Sequence, residues 1–420
     1  MKALAGLALA AALSMAAATA LATADCVTCH RDKTPAAVAQ WQASAHGKGG
    51  IGCADCHGKD HARIDQDLGR VEPKVCGECH AKALKTHEDS RHGMGLHSGW
   101  GCTRALPGRS PVECRFCHEA GSTAPKGGLQ CARFLKQSSS MAESGCNACH
   151  RVETSCASCH SNHNTSLAIV RDPNVCAKCH MGPDHPQWEM WQTSQHGTLH
   201  ASVGAQTGPG CQRCHLGAGS HNVSTGITTT SGNEPLPDKE AKARRAAMLA
   251  VCAQCHAPAF AQRELARGDA IRAESLALVK EAEKIVWDLA DHGLLDPMPA
   301  ARPPHPQRGH ELVTDSQMLY EDTSHIERLF FKMKKYDLAK TVKGAYHQNP
   351  AYTHWYGNAE LKMDLVDIRA EASRLRARGA ATAQTPEVRL RALKSQLERG
   401  ALAPDEYQRE KQKVLDGLAR

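Results

Sequence analysis

Nine copies of Cys-x-x-Cys-His stand between residues 26 and 256, and no other feature constrains the chain as tightly. They are Cys26/Cys29/His30, Cys53/Cys56/His57, Cys76/Cys79/His80, Cys114/Cys117/His118 and Cys146/Cys149/His150. The rest are Cys156/Cys159/His160, Cys176/Cys179/His180, Cys211/Cys214/His215 and Cys252/Cys255/His256. This motif attaches c-type haem: the two thiols become thioethers and the adjacent histidine becomes the proximal iron ligand. A zinc or disulfide scaffold is the alternative. Zinc does not require a histidine directly after every second cysteine, so nine haem c groups are expected.

The first 24 residues begin Met1-Lys2, run apolar and end Ala22-Thr23-Ala24. A basic start, a short apolar stretch and an A-x-A-like end read as a removed secretory signal. No later stretch approaches the roughly 18 apolar residues of a membrane helix, so no membrane span is expected after cleavage. A periplasmic or otherwise exported protein follows, in keeping with where haem is joined to such cysteines.

Aromatic content is only 4%, low for an ordinary core in a chain of 420 residues. Porphyrins would supply the missing flat apolar area, and without them the N-terminal half has little to bury. The formal charge of +7 is misleading. The propionates of nine haems, offset by ferric iron, bring the mature holo-protein to about −3, so the basic pI gives no support to nucleic-acid binding. Two cysteines, Cys102 and Cys131, lie outside the motifs and bracket Cys114. In an oxidising compartment a disulfide between them is the preferred reading.

Spacing and composition divide the chain into a signal (1–24), a multihaem domain (25–260) and a helical domain (261–420). The multihaem part is rich in Gly and Pro, so short helices and loops are expected, most motifs opening a helix. From 261 onward apolar residues recur at helical spacing, predicting helices over 261–293, 311–343, 360–378 and 386–418. The expected fold class is all-α: closely packed haems among short helices and loops, then a long-helix C-terminal module.

A local repeat runs through the haem region: Ser44-Ala45-His46-Gly47, Ser90-Arg91-His92-Gly93 and Ser194-Gln195-His196-Gly197. Trp41 and Trp191 precede two of the serines by three residues. Distal iron ligation is the shared job this suggests; a solvent-facing helix end with Gly as C-cap is the plain alternative. The distal candidates are His46, His61, His92, His163, His196, His221 and His347. A haem with two axial histidines carries electrons only, whereas an open position binds substrate.

The stretch Cys146 to His150, Cys156 to His160 and Ser161-Asn162-His163 resembles the hydroxylamine oxidoreductase family of octahaem cytochromes c. The match continues through Cys176 to His180, Met181-Gly182-Pro183-Asp184-His185-Pro186, Ser194 to Gly197 and His347-Gln348-Asn349-Pro350. The resemblance covers most of residues 25–370. It implies that the haem of Cys146, Cys149 and His150 is catalytic, with His150 its only axial protein ligand. It also places Asp184 and His185 over the open face as acid–base residues; a capping Asp with an exposed His is the plainer reading of that pair. Eight motifs fit the family, and Cys114/Cys117/His118 is an addition: a ninth haem with His87, His97 or Met94 as its second ligand is expected, and a non-haem site beside the Cys102–Cys131 pair is the alternative. Oxidising members carry a tyrosine, given by a neighbouring subunit of a trimer, joined to the catalytic porphyrin. Tyr352 is the best match here, though the spacing after Asn349-Pro350 differs.

The resemblance thus implies an oxidoreductase for hydroxylamine or nitrite, leaning toward reduction. Its partners would be a small nitrogen substrate, a redox protein or quinol-linked cytochrome, and in a homotrimer its own copies. The alternatives are a non-catalytic electron conduit, or a reductase of sulfur oxyanions or extracellular acceptors.

Overall fold

The computed structural model describes residues 26–93, 149, 152–230, 232–295, 324–381 and 386–417. Among them the regular structure is helical, with one isolated bridge between Thr229 and Pro235, so the protein is all-α. The described residues gather into two compact units. One comprises 26–93, 149–178 and 210–224; the other comprises 179–209 and 225–417. The helical module from 261 onward therefore shares its unit with the segments 179–209 and 225–260.

The first unit is made of short helices, of which Pro35–Ala43, with nine residues, is among the longest. Glycine, proline and side-chain caps stop each one early. Asp60 accepts from the Arg63 amide to start His61–Gln66, and Gly58, at φ +76°, ends Cys53–His57 in a conformation that glycine adopts freely. Its buried apolar side chains, among the described residues, are Val27, Val38 and Val175. Not every motif opens a helix. Cys53 and Cys211 do, whereas Cys76 and Cys176 sit inside helices begun earlier, near Pro73 and Pro173.

In the second unit Cys252 closes a helix that starts at Asp238. Pro258–Asp291, 34 residues long, then packs with His325–Lys332, Leu338–Tyr346 and Ala359–Ala381. Leu276, Val279, Val286 and Leu289 recur at helical spacing and face Ile326, Phe330, Leu338, Val342, Leu361, Leu365 and Ile368 in one apolar core. Ser324 and Glu327 form a capping box that starts the second of these helices. Two segments are wound as π-helix, Met333–Asp337 and Thr353–Asn358. The single helix expected over 386–418 is two, Pro386–Glu398 and Pro404–Asp416. Gly400 takes φ +70°, its amide and that of Ala401 close on Leu397 and Gln396, and Pro404 begins the next helix.

Candidate functional site

Two imidazoles on opposite sides of one iron place their ring centroids about 6 Å apart, given metal–nitrogen bonds of about 2 Å. Among the described residues, five histidine pairs stand out with that separation. In the first unit they are His30–His61 at 6.0 Å, His46–His80 at 6.0 Å, His57–His163 at 6.1 Å and His160–His221 at 6.1 Å. In the second it is His196–His256 at 6.0 Å. Each pair joins a motif histidine to a distal candidate. The five do not include the motif histidines His180 and His215 or the distal candidates His92 and His347. His215 ends the short helix Cys211–His215 and is half-buried. Five of the seven distal candidates thus lie opposite a motif histidine. Among the described residues no group of three or more His, Cys, Asp or Glu gathers around a point, as zinc would need. The facing pairs of motif and distal histidines fit haem iron.

Both cysteines of every motif are expected to hold a porphyrin, and the structure sets the two apart. The first cysteines Cys26, Cys53, Cys76, Cys156, Cys176, Cys211 and Cys252 are half-buried. Among the described second cysteines, Cys29, Cys56, Cys79 and Cys255 are exposed, whereas Cys149, Cys159, Cys179 and Cys214 are half-buried. The exposed four are therefore not enclosed by side chains, and a porphyrin joined to both sulfurs of a motif would itself cover them. Among the described residues the half-buried second cysteines sit on the consecutive motifs 146–150, 156–160, 176–180 and 211–215. Thiols of distant motifs also adjoin. Cys176 lies against Cys211, and burial followed by Cys76 pushes Cys156 up to about 11. The attachment points of different porphyrins are therefore neighbours.

The ring nitrogens agree with ligation. His30 Nδ1 is 2.9 Å from Thr34 Oγ1, His46 Nδ1 is 3.2 Å from Thr165 Oγ1, and His61 Nδ1 is 3.1 Å from Asp65. Nδ1 is thus engaged and Nε2 left for a metal, the usual arrangement of a ligating histidine. Burial, then the facing ring, pushes His57 and His196 toward the neutral form that ligation needs.

The Ser-x-His-Gly repeat has a local cause. Ser44 Oγ donates to the Trp41 carbonyl at 2.7 Å and accepts from the Gly47 amide at 3.0 Å. Ser194 does the same with Trp191 at 2.7 Å and Gly197 at 3.2 Å, and Ser90 accepts from Gly93 at 3.2 Å. In the first and last copies the serine is the N-cap, so the glycine lies in the first turn and is not a C-cap. A Cβ on any of the three glycines would strike the carbonyl six residues earlier, at Trp41, His87 or Trp191. Trp41 and Trp191 also donate to the carbonyls of Ile51 and Pro209, each two residues before a motif cysteine. The tryptophan thus ties each distal-histidine helix to the approach of the next motif.

Asp184 and His185 belong to the second unit. Asp184 Oδ1 meets His185 Nδ1, and Asp184 is mostly buried at 16% side-chain exposure. Lys335 Nζ lies 3.4 Å from Asp184 Oδ2, and Lys343 Nζ donates to the Asp184 carbonyl at 3.0 Å. Burial opposes ionisation of Asp184, but His185, Lys335 and Lys343 outweigh it and hold the carboxyl well below the usual range. The His185 ring lies 6.3 Å from that of His180, at 74°. The Gly182 amide donates to Glu189 at 2.9 Å, which fixes the loop ahead of the pair.

Asn349 anchors the His-x-Asn-Pro segment. It donates to the Met190 carbonyl and Thr193 Oγ1, both at 2.8 Å, and accepts from the Tyr352 amide at 2.9 Å. His347 Nδ1 engages the Lys343 carbonyl at 2.7 Å, leaving Nε2 for a metal. The Tyr352 ring lies 5.0 Å from that of Tyr356. Burial, then the Glu189 carboxylate, pushes the Tyr352 phenol up to about 12, so it stays protonated.

Residues 48–303 match the family described as seven times multi-haem cytochrome CxxCH. The chain belongs to this family. A curated relative, the probable nitrite reductase-hydroxylamine oxidoreductase fusion protein of Kuenenia stuttgartiensis, is 25% identical over 84% of this chain and 51% of its own length. The chain thus spans about half of that relative. The fold is similar to a reducing HAO-like protein complex of Kuenenia stuttgartiensis, with a TM-score of 0.67, 23% identity and coverage of 85% of this chain and 86% of that one. It is also similar to a hypothetical multiheme protein, with a TM-score of 0.62, 16% identity and coverage of 86% and 96%.

For this multihaem cytochrome, several expected site residues lie outside the described residues: Cys114, Cys117, His118, Cys146, His150 and the Cys102–Cys131 pair. Cys149 is described, with Sγ 3.8 Å from the Lys178 carbonyl. Lys335 and Lys343 were absent from the candidates. They stand some 150 residues from Asp184, and no local pattern marks them. Among the described residues no helix is long and apolar enough to cross a membrane.

Proposed function

We propose that this multihaem cytochrome is an exported oxidoreductase that reduces hydroxylamine or nitrite. Nine haem c groups would be carried, eight of them in the octahaem pattern. The haem of Cys146, Cys149 and His150 would keep one axial position for substrate, and His46, His61, His92, His163, His196, His221 and His347 would close the rest. Bound haem supplies an iron that takes the substrate nitrogen and passes electrons to it. Electrons would arrive from a redox protein or a quinol-linked cytochrome, and residues 1–24 would be removed on export.

The observation that carries this reading is the ionised, cation-bracketed Asp184 hydrogen-bonded to His185. Reduction of an N–O compound consumes protons with its electrons, so a titratable group must meet the substrate. With Nδ1 held by Asp184, His185 offers Nε2 as the atom that exchanges a proton. Asp184 fixes the tautomer and the ring direction. Tyr352, protonated and packed on Tyr356, is the candidate for a porphyrin cross-link between copies in a homotrimer, which would favour oxidation instead.

One observation favours a second reading. The 6.3 Å between His180 and His185 is close to the separation of the five pairs. If His185 ligates the iron of the Cys176/Cys179/His180 haem, it leaves the acid–base role, and with the His150 haem closed as well the protein would be an electron conduit. Optical and EPR titration of the holo-protein separates the two. A high-spin ferric component that shifts on adding hydroxylamine or nitrite supports the enzyme. Wholly low-spin spectra with no ligand response leave the conduit.

A further inference from the structure

Lys332 Nζ lies 2.8 Å from Asp337 Oδ2, five residues on. In an α-helix such residues stand about 140° apart around the axis and cannot meet easily. The π winding of Met333–Asp337 brings them to one side. The contact is secured from several directions. Asp337 is fully buried at 0% exposure, and its other oxygen takes Lys340 at 3.0 Å. Asp364, from the facing helix Ala359–Ala381, meets the same Lys332 at 2.9 Å, and Glu360 joins at 3.1 Å. Thr341 Oγ1 donates to the Asp337 carbonyl at 2.7 Å.

Lys335 is the middle residue of this turn, and its ammonium stands 3.4 Å from Asp184 Oδ2. Rewinding the segment as α-helix would turn Lys335 around the helix axis, away from Asp184. The two carboxylate oxygens of Asp184 then have different keepers: His185 on Oδ1 and Lys335 on Oδ2. Lys343, farther along the same run of helix, holds the Asp184 backbone. π turns inside helices are frequent at functional sites, and here the distortion has a specific product.

We propose that the π turn Met333–Asp337 is a positioning element for the acid–base pair: locked by the Lys332–Asp337–Asp364 network, it presents Lys335 to Asp184 and so fixes the direction in which His185 offers its proton. Lys335 touches neither substrate nor iron; it is a positioning residue. The inference rests on the proposed catalytic role of Asp184 and His185 and adds to it the part of the chain that aims them.

The test uses purified holo-protein reducing hydroxylamine with a reduced dye as donor, and compares Lys335→Met, Lys335→Arg, Asp184→Asn, His185→Ala and the Lys335→Met/Asp184→Asn double variant. Haem content and the ferric spectrum serve as the check on folding. Lys335→Met is expected to lower kcat about tenfold with KM little changed, Lys335→Arg to restore most of it, and Asp184→Asn to cost about a hundredfold. Because both act through one carboxylate, the double variant should be no slower than Asp184→Asn alone. Additive losses, or an unchanged kcat in Lys335→Met while Asp184→Asn is slow, overturn the inference and leave the proposed function standing. Unchanged kcat in both Asp184→Asn and His185→Ala removes the pair from the mechanism, and the inference with it. A crystal structure of the Lys335→Met holo-protein gives a readout free of turnover. A turned Asp184–His185 pair in an otherwise unchanged fold supports the proposal, and an unmoved pair overturns it.

Discussion

The two units of this cytochrome are stabilised by different materials. In the second, Leu289, Ile326, Phe330, Leu361 and Ile368 are all 0% exposed and close a core of side chains between long helices. In the first, Val27, Val38 and Val175 are the buried apolar side chains among the described residues, while paired imidazoles face each other across gaps of about 6 Å. A unit built like the first cannot offset its chain entropy with side-chain burial. Its apolar core must come from the porphyrins. The difference leads to an expectation: the long-helix part of the second unit forms without haem, while the first unit folds around its cofactor.

The largest effect should come from withholding haem. Chain made without haem attachment should keep slow amide exchange in Pro258–Asp291 and Ala359–Ala381 and lose it throughout 26–93. Protection in both would show that the first unit has a core of its own. Next is truncation inside each unit. Phe330→Ala should cost about 3–5 kcal/mol, as large-to-small changes at filled core positions do. Val38→Ala in the first unit, at 8% exposure, should cost no more than about 1 kcal/mol because fewer side chains surround it. Denaturant unfolding followed at the haem band and by far-UV dichroism reads the two separately.

Much of this contrast was legible in the sequence, and its limits have physical reasons. The nine motifs announced haem, and the apolar periodicity from 261 onward announced long helices. Which imidazole faces which did not follow, since His46 meets His80 and His160 meets His221 through tertiary placement alone. Nor did the motif spacing tell the exposed Cys29, Cys79 and Cys255 from the half-buried Cys179 and Cys214, because what covers a thiol comes from elsewhere in the chain. The serine and glycine of the repeat were visible, but their roles depend on the carbonyls of Trp41 and Trp191. The split at Gly400 was readable in principle from Gly400 and Pro404; the helical spacing on either side masked it. The π turns were not readable, because the Lys332–Asp337 contact that marks one has a spacing no α-helical pattern contains. For the acid–base pair, Asp184 and His185 came from a resemblance, while Lys335 came only from the fold.

A pH effect confined to the second unit sharpens the comparison further. Burial, then the hydrogen bond and charge of Asp337, pushes the Asp364 carboxyl up to about 7, against the opposing pull of Lys332. A carboxyl whose folded pKa is raised adds stability that is full below its unfolded pKa of about 3.9 and is lost as pH rises through about 7. The thermal midpoint of the helical unit should therefore fall between about pH 4 and pH 7 and level off above that. Asp364→Asn should flatten that slope and leave the first unit's transition where it was. A slope unchanged in the variant would assign the proton elsewhere.

The smallest expected effect compares one substitution in both units. Ser44 and Ser194 cap their helices alike, each with Oγ 2.7 Å from a tryptophan carbonyl. Loss of such a cap costs about 1 kcal/mol. Ser44→Ala and Ser194→Ala should each lower stability by about that amount and leave haem content intact, since neither hydroxyl touches a metal ligand's Nε2. The helix that Ser44 starts carries His46, whose ring faces His80. In the first unit, where side-chain burial provides little reserve, that cap and iron ligation share the same few residues. A loss at Ser44 several times that at Ser194, with a weakened low-spin haem signal, would mean that the cap is felt through the iron rather than through the helix.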